Sequence, residues 1–292
     1  MHPISAPPAP PQVIDSCLAL QRAVQALRGV GKRIGVVPTM GALHEGHLSL
    51  VRASRAECDV TIATIFVNPT QFGPGEDLDR YPRQLARDLE MLGELGVEIV
   101  FAPAAGEMYP PGFSTSVEPP ASARPLEGEC RPGHFAGVAT VVLKLLNLAG
   151  ADRAYFGHKD YQQSVVVRHM VRDLNVPCEI VVCPTVRESD GLALSSRNAY
   201  LSDEERRRAL SISRGLRRAK ELVTAGERDA NTVRGAMQQV LLEAEVTDVD
   251  YVALVEPESL EALACLDREF VALIAARVGK TRLIDNLRIS PS

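Results

Sequence analysis

Apolar runs and amphipathic stretches alternate through the first two thirds of the chain. Ile34-Gly35-Val36-Val37 is apolar without a break and reads as a buried strand that stops at Pro38. Behind it the period changes: Leu48, Leu50, Val51 and Ala53 stand against Ser49, Arg52 and Arg55, the pattern of an amphipathic helix. The same reading gives a β-branched strand at 60–67, a helix at 81–95, a strand at 97–102 and a well-buried helix at 135–148. A short strand at 154–156, a helix at 161–174 and a strand at 178–182 follow. This alternation predicts a Rossmann-like parallel sheet with helices on both faces, a fold that binds ligands at the carboxyl ends of its strands.

After about residue 186 the texture changes. Ser202 is an expected N-cap, and Asp203, Glu204 and Glu205 suit the positive end of a long charged helix. A second helix at 230–245 and short strands at 250–255 and 270–278 complete a smaller α+β domain. The expected organisation is a disordered, Pro- and Ala-rich lead-in at 1–12, a nucleotide-binding domain at 13–186, and a C-terminal α+β domain at 187–292 that closes over the site.

Composition narrows the functional classes. The 292 residues are 46% hydrophobic and 24% charged, which describes an ordinary globular protein with a sizeable core. A net charge of -5 provides no global basic field for nucleic acid. No apolar run approaches the roughly 20 residues of a membrane helix. The N-terminus lacks the basic start and apolar core of a signal peptide. Six scattered cysteines form no C-x-x-C pair, and Cys58, Cys178 and Cys183 fall in or beside apolar runs. Buried free thiols in a reducing cytoplasm are therefore expected.

Candidate chemistry gathers where strands hand over to helices. Pro38-Thr39-Met40-Gly41-Ala42-Leu43-His44-Glu45-Gly46-His47 leaves the first strand and enters a helix with two histidines three apart. On a helix those two positions share a face, beside the unpaired N–H groups and positive dipole end of the first turn. That arrangement suits a triphosphate. Zinc fits less well, because the helical zinc pair sits at i, i+4 with a glutamate between. Asn68 and Gln71 follow the second strand; they suit a small hydroxy acid or, alternatively, a plain turn. The polar stretch 73–80 is a lid or an ordinary exposed loop. Arg131 and His134 enter the buried helix and either hold anionic groups or serve the structure. Gly157, Lys159, Asp160 and Gln163 again span a strand end and a helix start, with Lys159 a point charge for phosphate and Asp160 also a natural N-cap. Ser195, Ser196 and Arg197 form a cationic, donor-rich loop or a serine-rich turn.

Together these stretches resemble the pantothenate synthetase (pantoate–β-alanine ligase) family, from about Arg33 to the C-terminus. The likeness is densest at 38–47, 68–72, 131–147, 156–163 and 190–201, in one order and at matching distances. The resemblance implies a reaction in which ATP and pantoate give pantoyl adenylate and pyrophosphate. β-Alanine then displaces AMP to give pantothenate, and Mg²⁺ accompanies ATP. It places Met40, Gly41, His44 and His47 on ATP together with Gly157, Lys159, Asp160, Val186, Leu194, Ser195, Ser196 and Arg197. His44, His47, Lys159 and Arg197 take the catalytic roles; the family casts His47 as a proton donor, although charge neutralisation suits a leaving pyrophosphate better. Pro38, Met40, Asn68, Gln71, Arg131 and Gln163 are the expected pantoate and β-alanine contacts, with Asn68, Arg131 and also Tyr81 of second rank. The ligands of the metal are left unknown, with Asp88 a weak candidate beside it. A homodimer that binds neither nucleic acid nor membrane is expected. His158 and Leu194 depart from the residues common in relatives. The rival readings are a nucleotidylyltransferase sharing the H-x-G-H, and a nucleotide-binding protein without turnover.

Overall fold

The computed structural model describes residues 10–291. In chain order they form β1 (Gln12–Ile14), α1 (Cys17–Gly29), β2 (Ile34–Thr39), α2 (Glu45–Glu57), β3 (Val60–Ile65), α3 (Leu85–Glu94), β4 (Ile99–Phe101) and α4 (Ala105–Met108). Then come α5 (Glu127–Cys130), α6 (His134–Ala149), β5 (Arg153–Gly157), α7 (Tyr161–Asp173), β6 (Glu179–Cys183), α8 (Asp203–Thr224), α9 (Ala230–Glu243), β7 (Asp248–Val255), β8 (Phe270–Val278) and β9 (Thr281–Ile289). They divide into two compact units. The first takes the described part of 1–120 with Arg131–His158 and Val166–Pro184; the second takes Ala121–Cys130, Lys159–Val165 and the described part of 185–292. Of the expected lead-in, residues 1–9 lie outside the described residues, and Gln12 already pairs with Ile99.

Unit 1 is built on a six-stranded parallel sheet in the order β1-β4-β3-β2-β5-β6. From β2 the chain moves to β3 and β4 on one side, then returns to β5 and β6 on the other. The strand order therefore reverses between β2 and β5, and their carboxyl ends flank the crevice where such sheets bind ligands. β2 and β3 pair from Ile34↔Val60 to Thr39↔Ile65. Val36, Val37, Ile62, Leu92, Phe101 and Tyr155 are sealed in the core.

Several boundaries move for identifiable reasons. β2 does not stop at Pro38 but runs to Thr39. Pro38 pairs with Thr64 of β3, whereas the β5 ladder ends at Val36↔Ala154; the missing N–H of proline is tolerated where one neighbour has dropped away. The strand expected at 60–67 ends at Ile65. The helix expected from 81 begins at Leu85, because Pro82 disfavours helical backbone at Tyr81. Helix α6 packs its start directly onto the turn after β3: a Cβ on Gly137 would stand 2.3 Å from the Thr70 carbonyl oxygen. Only glycine permits that approach.

Unit 2 centres on the antiparallel sheet β7-β8-β9, with α8 and α9. Ile212, Leu216, Met237, Phe270 and Ile274 are buried in one cluster. Ser202 caps α8 as expected, its Oγ accepting from the Glu205 N–H while Glu205 Oε2 accepts from the Ser202 N–H at 2.9 Å. β9 is absent from the sequence reading because Asp285 and Asn286, both buried, break its apolar alternation. Arg187 makes the burial tolerable, donating to both Asp285 oxygens at 2.6 and 2.9 Å.

A second buried charge cluster ties α5 to this sheet. Arg282 of β9 donates to both Glu127 oxygens at 2.8 and 2.7 Å and to Asp250 of β7 at 2.5 Å. The Tyr251 hydroxyl donates to Glu127 Oε1 at 2.7 Å. Gln162 completes the attachment, accepting from the Glu127 N–H and donating to the carbonyls of Ser122 and Pro125.

Candidate functional site

The H-x-G-H segment emerges from the carboxyl end of β2, at the point where strand order reverses. The expectation that both histidines lie in the first helical turn is half right. His44 is the N-cap of α2, with extended backbone, and His47 is the third residue of the helix. The two side chains cap one another's backbone: His44 Nδ1 accepts from the Gly46 N–H at 3.1 Å, and His47 Nδ1 accepts from the His44 N–H at 3.4 Å. The rings lie 4.1 Å apart, centroid to centroid. Accepting at Nδ1 places the proton of each neutral ring on Nε2, so both imidazoles present an N–H donor.

The loop that leads into this cap is pinned from below. Asp88 of α3 is buried, and its two oxygens accept the N–H groups of Ala42 and Leu43 at 2.9 and 2.8 Å. Gly41 turns through φ +83° over the same carboxylate. Burial pushes the Asp88 carboxyl up, against the two backbone hydrogen bonds that stabilise its charge. Asp88, expected beside the metal, has both oxygens committed to backbone N–H groups and supports the loop. Asp88→Asn turns an amide N–H₂ toward one of those N–H groups. The expected result is a loss of about 1–3 kcal/mol in unfolding free energy, read by urea denaturation, with a higher ATP KM.

Asn68 and Gln71, expected to face substrate together, divide the work. Asn68 is buried and saturated. Its Oδ1 accepts from the Tyr109 hydroxyl at 2.8 Å, the Thr70 hydroxyl at 2.9 Å and the Thr70 N–H at 3.3 Å. Its Nδ2 donates to the Gly137 carbonyl at 3.2 Å and to Gln71 Oε1 at 3.1 Å. Asn68 is thus a support rather than a contact. Gln71 is left with Nε2 directed at Met40 Sδ, 3.3 Å away.

Arg131 is also committed within the protein. Its Nε and Nη2 donate to the two Glu76 oxygens at 2.6 and 2.7 Å, and Nη2 reaches the Gln71 carbonyl at 3.3 Å. Nη1 lies 3.0 Å from His134 Nε2, and His134 Nδ1 lies 2.7 Å from the same carbonyl. Arginine is always a donor, so His134 accepts at Nε2 and donates from Nδ1. The segment 73–80 is therefore fastened to the start of α6 through Glu76. Burial alone would raise the Glu76 carboxyl, but the Arg131 hydrogen bonds and charge outweigh it and hold it below the usual range. A depressed carboxylate stabilises the folded state above its unfolded pKa of about 4.3 and loses that contribution as pH falls through the lower folded value. Glu76→Gln at neutral pH should accordingly lower the protection of the 73–80 amides relative to their intrinsic exchange rates, and acidification through the depressed folded value should do the same in the parent chain.

β5 ends at Gly157, the other side of the reversal point, and a single turn of 3₁₀ helix, His158–Asp160, follows. In unit 2, the Lys159 ammonium lies 3.6 Å from Asp160 Oδ1, and its carbonyl accepts from Asn286 Nδ2 at 2.8 Å. Gln162 turns inward, as described above, whereas its neighbour Gln163 is half-buried.

Also in unit 2, Val186 and Leu194 face each other across a hairpin. The Leu194 N–H donates to the Val186 carbonyl at 3.0 Å, and Gly191 makes the turn at φ +95°. Arg206 of α8 grips the turn from one side, donating to Glu188 at 2.7 Å and Asp190 at 2.6 Å. The Leu192 N–H and the Arg206 guanidinium hold the Asp190 carboxyl below its ordinary range. Asn198 Nδ2 binds Glu188 Oε1 and the Ala193 carbonyl, and its buried Oδ1 has no partner among the described residues. Ser195 caps the 3₁₀ helix Ser196–Tyr200, its Oγ accepting from the Arg197 N–H at 3.3 Å. The Ser195-Ser196-Arg197 loop is therefore mounted on a hairpin cross-linked by Arg206 and Asn198. Reading the sequence missed that support and Tyr109, and it placed Glu76 only within the polar stretch 73–80, without a role. Their partners lie 10 to 55 positions away, with no local pattern to join them.

The comparisons with known proteins agree over nearly the whole chain. Residues 12–288 match the family described as pantoate-beta-alanine ligase. The chain belongs to the pantoate–β-alanine ligase family. It is 53% identical to the pantothenate synthetase of Moorella thermoacetica over 276 residues, which cover 94% of this chain and 98% of that one. The crystal structure of pantothenate synthetase from Thermus thermophilus superposes with a TM-score of 0.91 at 47% identity, covering 96% of this chain and all of that one. A pantoate-beta-alanine ligase from Francisella tularensis, solved with beta-gamma ATP and beta-alanine, gives 0.80 at 35% identity, covering 97% of this chain and all of that one. These proteins share both the parallel sheet and the small antiparallel sheet of the second unit.

Proposed function

We propose that this chain condenses pantoate with β-alanine, using ATP, in two steps. The pantoate carboxylate attacks the α-phosphorus, forming pantoyl adenylate and expelling pyrophosphate. The β-alanine amine then attacks the acyl carbon, forming the amide and releasing AMP. The observation that carries the reading is the reciprocal His44–His47 cap at the end of β2, which presents two Nε2–H donors beside a helix N-terminus.

In this reading His44 and His47 neutralise charge growing on the leaving pyrophosphate, and Lys159 adds a point charge. Met40, Gly41, Gly157, Asp160, Val186, Leu194, Ser195, Ser196 and Arg197 hold the nucleotide. Gln71 and Gln163 hold pantoate, with Pro38 and Met40 beside it. Alignment of carboxylate and phosphorus supplies the entropic share of catalysis, which reaches roughly 7–11 kcal/mol in favourable systems. Arg131 enters the β-alanine step only by exchanging Glu76 for a substrate carboxylate.

Mg²⁺ comes with ATP as part of the substrate. Among the described residues no three His, Cys, Asp or Glu side chains gather to hold a cation, and phosphate oxygens suit this hard ion. The six cysteines are free thiols, which accords with the reducing cytoplasm we propose, and no described helix is long and apolar enough to cross a membrane. We also propose a homodimer.

The test follows pyrophosphate and AMP separately. Pyrophosphate should form with ATP and pantoate alone, and AMP only after β-alanine is added. Pyrophosphate without β-alanine-dependent AMP would instead indicate a nucleotidylyltransferase, and neither product a binding protein.

A further inference from the structure

Tyr109 lies outside the sequence motifs, yet its hydroxyl touches the residue that orients Gln71. The Asn68 side-chain amide has two ends, and each meets one backbone group that can play a single part, the Thr70 N–H at Oδ1 and the Gly137 carbonyl at Nδ2. Oδ1 faces three donors: the Tyr109 hydroxyl, the Thr70 hydroxyl and the Thr70 N–H. Nδ2 faces two acceptors, the Gly137 carbonyl and Gln71 Oε1. Turning Asn68 over would set Nδ2 against the Thr70 N–H and Oδ1 against the Gly137 carbonyl, so its orientation is fixed, and the two hydroxyls anchor it there. A fixed Nδ2 in turn demands the carbonyl end of Gln71. The Gln71 Nε2 group is thereby left toward Met40 Sδ, a weak acceptor that leaves donor capacity for a better one.

We propose that Tyr109 is a positioning residue for pantoate recognition: its hydroxyl anchors the oriented Asn68 amide, which holds the donor end of the Gln71 amide toward the substrate. The proposal rests on the reading that Gln71 holds pantoate, whose carboxylate and hydroxyl oxygens all accept hydrogen bonds. The ring of Tyr109 is held independently of its hydroxyl. It stands edge-on to Phe113 at 5.1 Å between centroids and 6.2 Å from Phe66, and Lys144 Nζ lies 5.8 Å from its centre. Burial also pushes the phenol up, which keeps its proton in place to donate. A phenylalanine at 109 therefore keeps the packing and loses only the hydrogen bond.

The experiment compares Tyr109→Phe, the double variant Tyr109→Phe with Thr70→Val, and Gln71→Ala. Each is assayed for pyrophosphate release with varied pantoate at saturating ATP, with varied ATP at saturating pantoate, and for its Tm. The expected result is a pantoate KM raised about fivefold by Tyr109→Phe, the effect of one neutral hydrogen bond. The double variant should raise it more than tenfold, while Tyr109→Phe leaves the ATP KM at the parent value and lowers Tm by no more than the few degrees one hydrogen bond is worth. If Gln71→Ala raises the pantoate KM and Tyr109→Phe does not, the role of Tyr109 is overturned and Gln71 stands. If Tyr109→Phe shifts the pantoate and ATP KM values together, the residue is merely structural and the proposal fails. If Gln71→Ala leaves the pantoate KM unchanged, the reading of Gln71 fails and takes this proposal with it.

Discussion

Replacing His47 with alanine should slow pantoate-dependent pyrophosphate release by about 10²–10³-fold, the loss expected when one preorganised donor to developing charge is removed. The side chain has two duties that must be separated. Its Nδ1 caps the His44 N–H, and a lost cap of this kind costs about 1 kcal/mol of stability. Its Nε2–H is the donor assigned to the leaving pyrophosphate. The rate loss should therefore far exceed the modest fall in Tm, and it should appear in kcat rather than in the ATP KM alone. Lys159→Ala gives an independent reading, because its side chain caps nothing. Its ammonium is paired at 3.6 Å with Asp160, so removing it disturbs one weak contact. A comparable loss of rate is expected. Groups that neutralise the same charge act together, so the double variant should lose less than the product of the two single effects. Wild-type adenylation rates in both single variants would show that these residues do not stabilise the leaving group.

The second large effect is on stability. Glu127→Ala leaves Arg282 with Asp250 alone and strips Tyr251 of its acceptor, deep in unit 2. The Glu127 and Arg282 side chains are only 7% and 17% exposed, so the surviving charge cannot be rescued by water. Breaking a buried pair from one side costs about 3–5 kcal/mol. The change should appear as faster amide exchange across β7, β8 and β9, a measure that stays meaningful if the two units unfold separately. Replacing the whole network, as Glu127→Leu with Arg282→Met and Asp250→Asn, should recover much of the loss, because no lone charge then remains. A loss below about 1 kcal/mol in Glu127→Ala would mean that the network is solvated and contributes little.

What could be read from the sequence was local. The run Ile34–Val37 announced β2, and the histidine motif behind it announced the most telling part of the site, because strand, turn and helix cap are written within about a dozen neighbouring residues. The long-range pairings were hidden. Arg131 reads as an anion-binding residue until Glu76, 55 positions earlier, is found on its guanidinium. Asn68 reads as a substrate contact until all its hydrogen-bonding capacity is seen to be taken. Glu127 and Arg282 are 155 residues apart, and nothing near either announces the other. β9 was obscured for the same reason: its buried Asp285 makes sense only beside Arg187, 98 positions away. Periodicity reports which face of an element is dry; it does not report which polar group another part of the chain will bring.

The most direct test of the two-step account is the fate of oxygen from the pantoate carboxylate. Pantoate labelled there with ¹⁸O is incubated with this protein, ATP, Mg²⁺ and β-alanine, and the AMP is examined by mass spectrometry. Attack of the carboxylate on the α-phosphorus, followed by displacement at the acyl carbon, transfers one labelled oxygen to the phosphate of AMP and leaves the other in the amide carbonyl of pantothenate. AMP carrying one ¹⁸O is the predicted result. Unlabelled AMP formed together with pantothenate would contradict the acyl-adenylate path and the charge-neutralising roles built upon it.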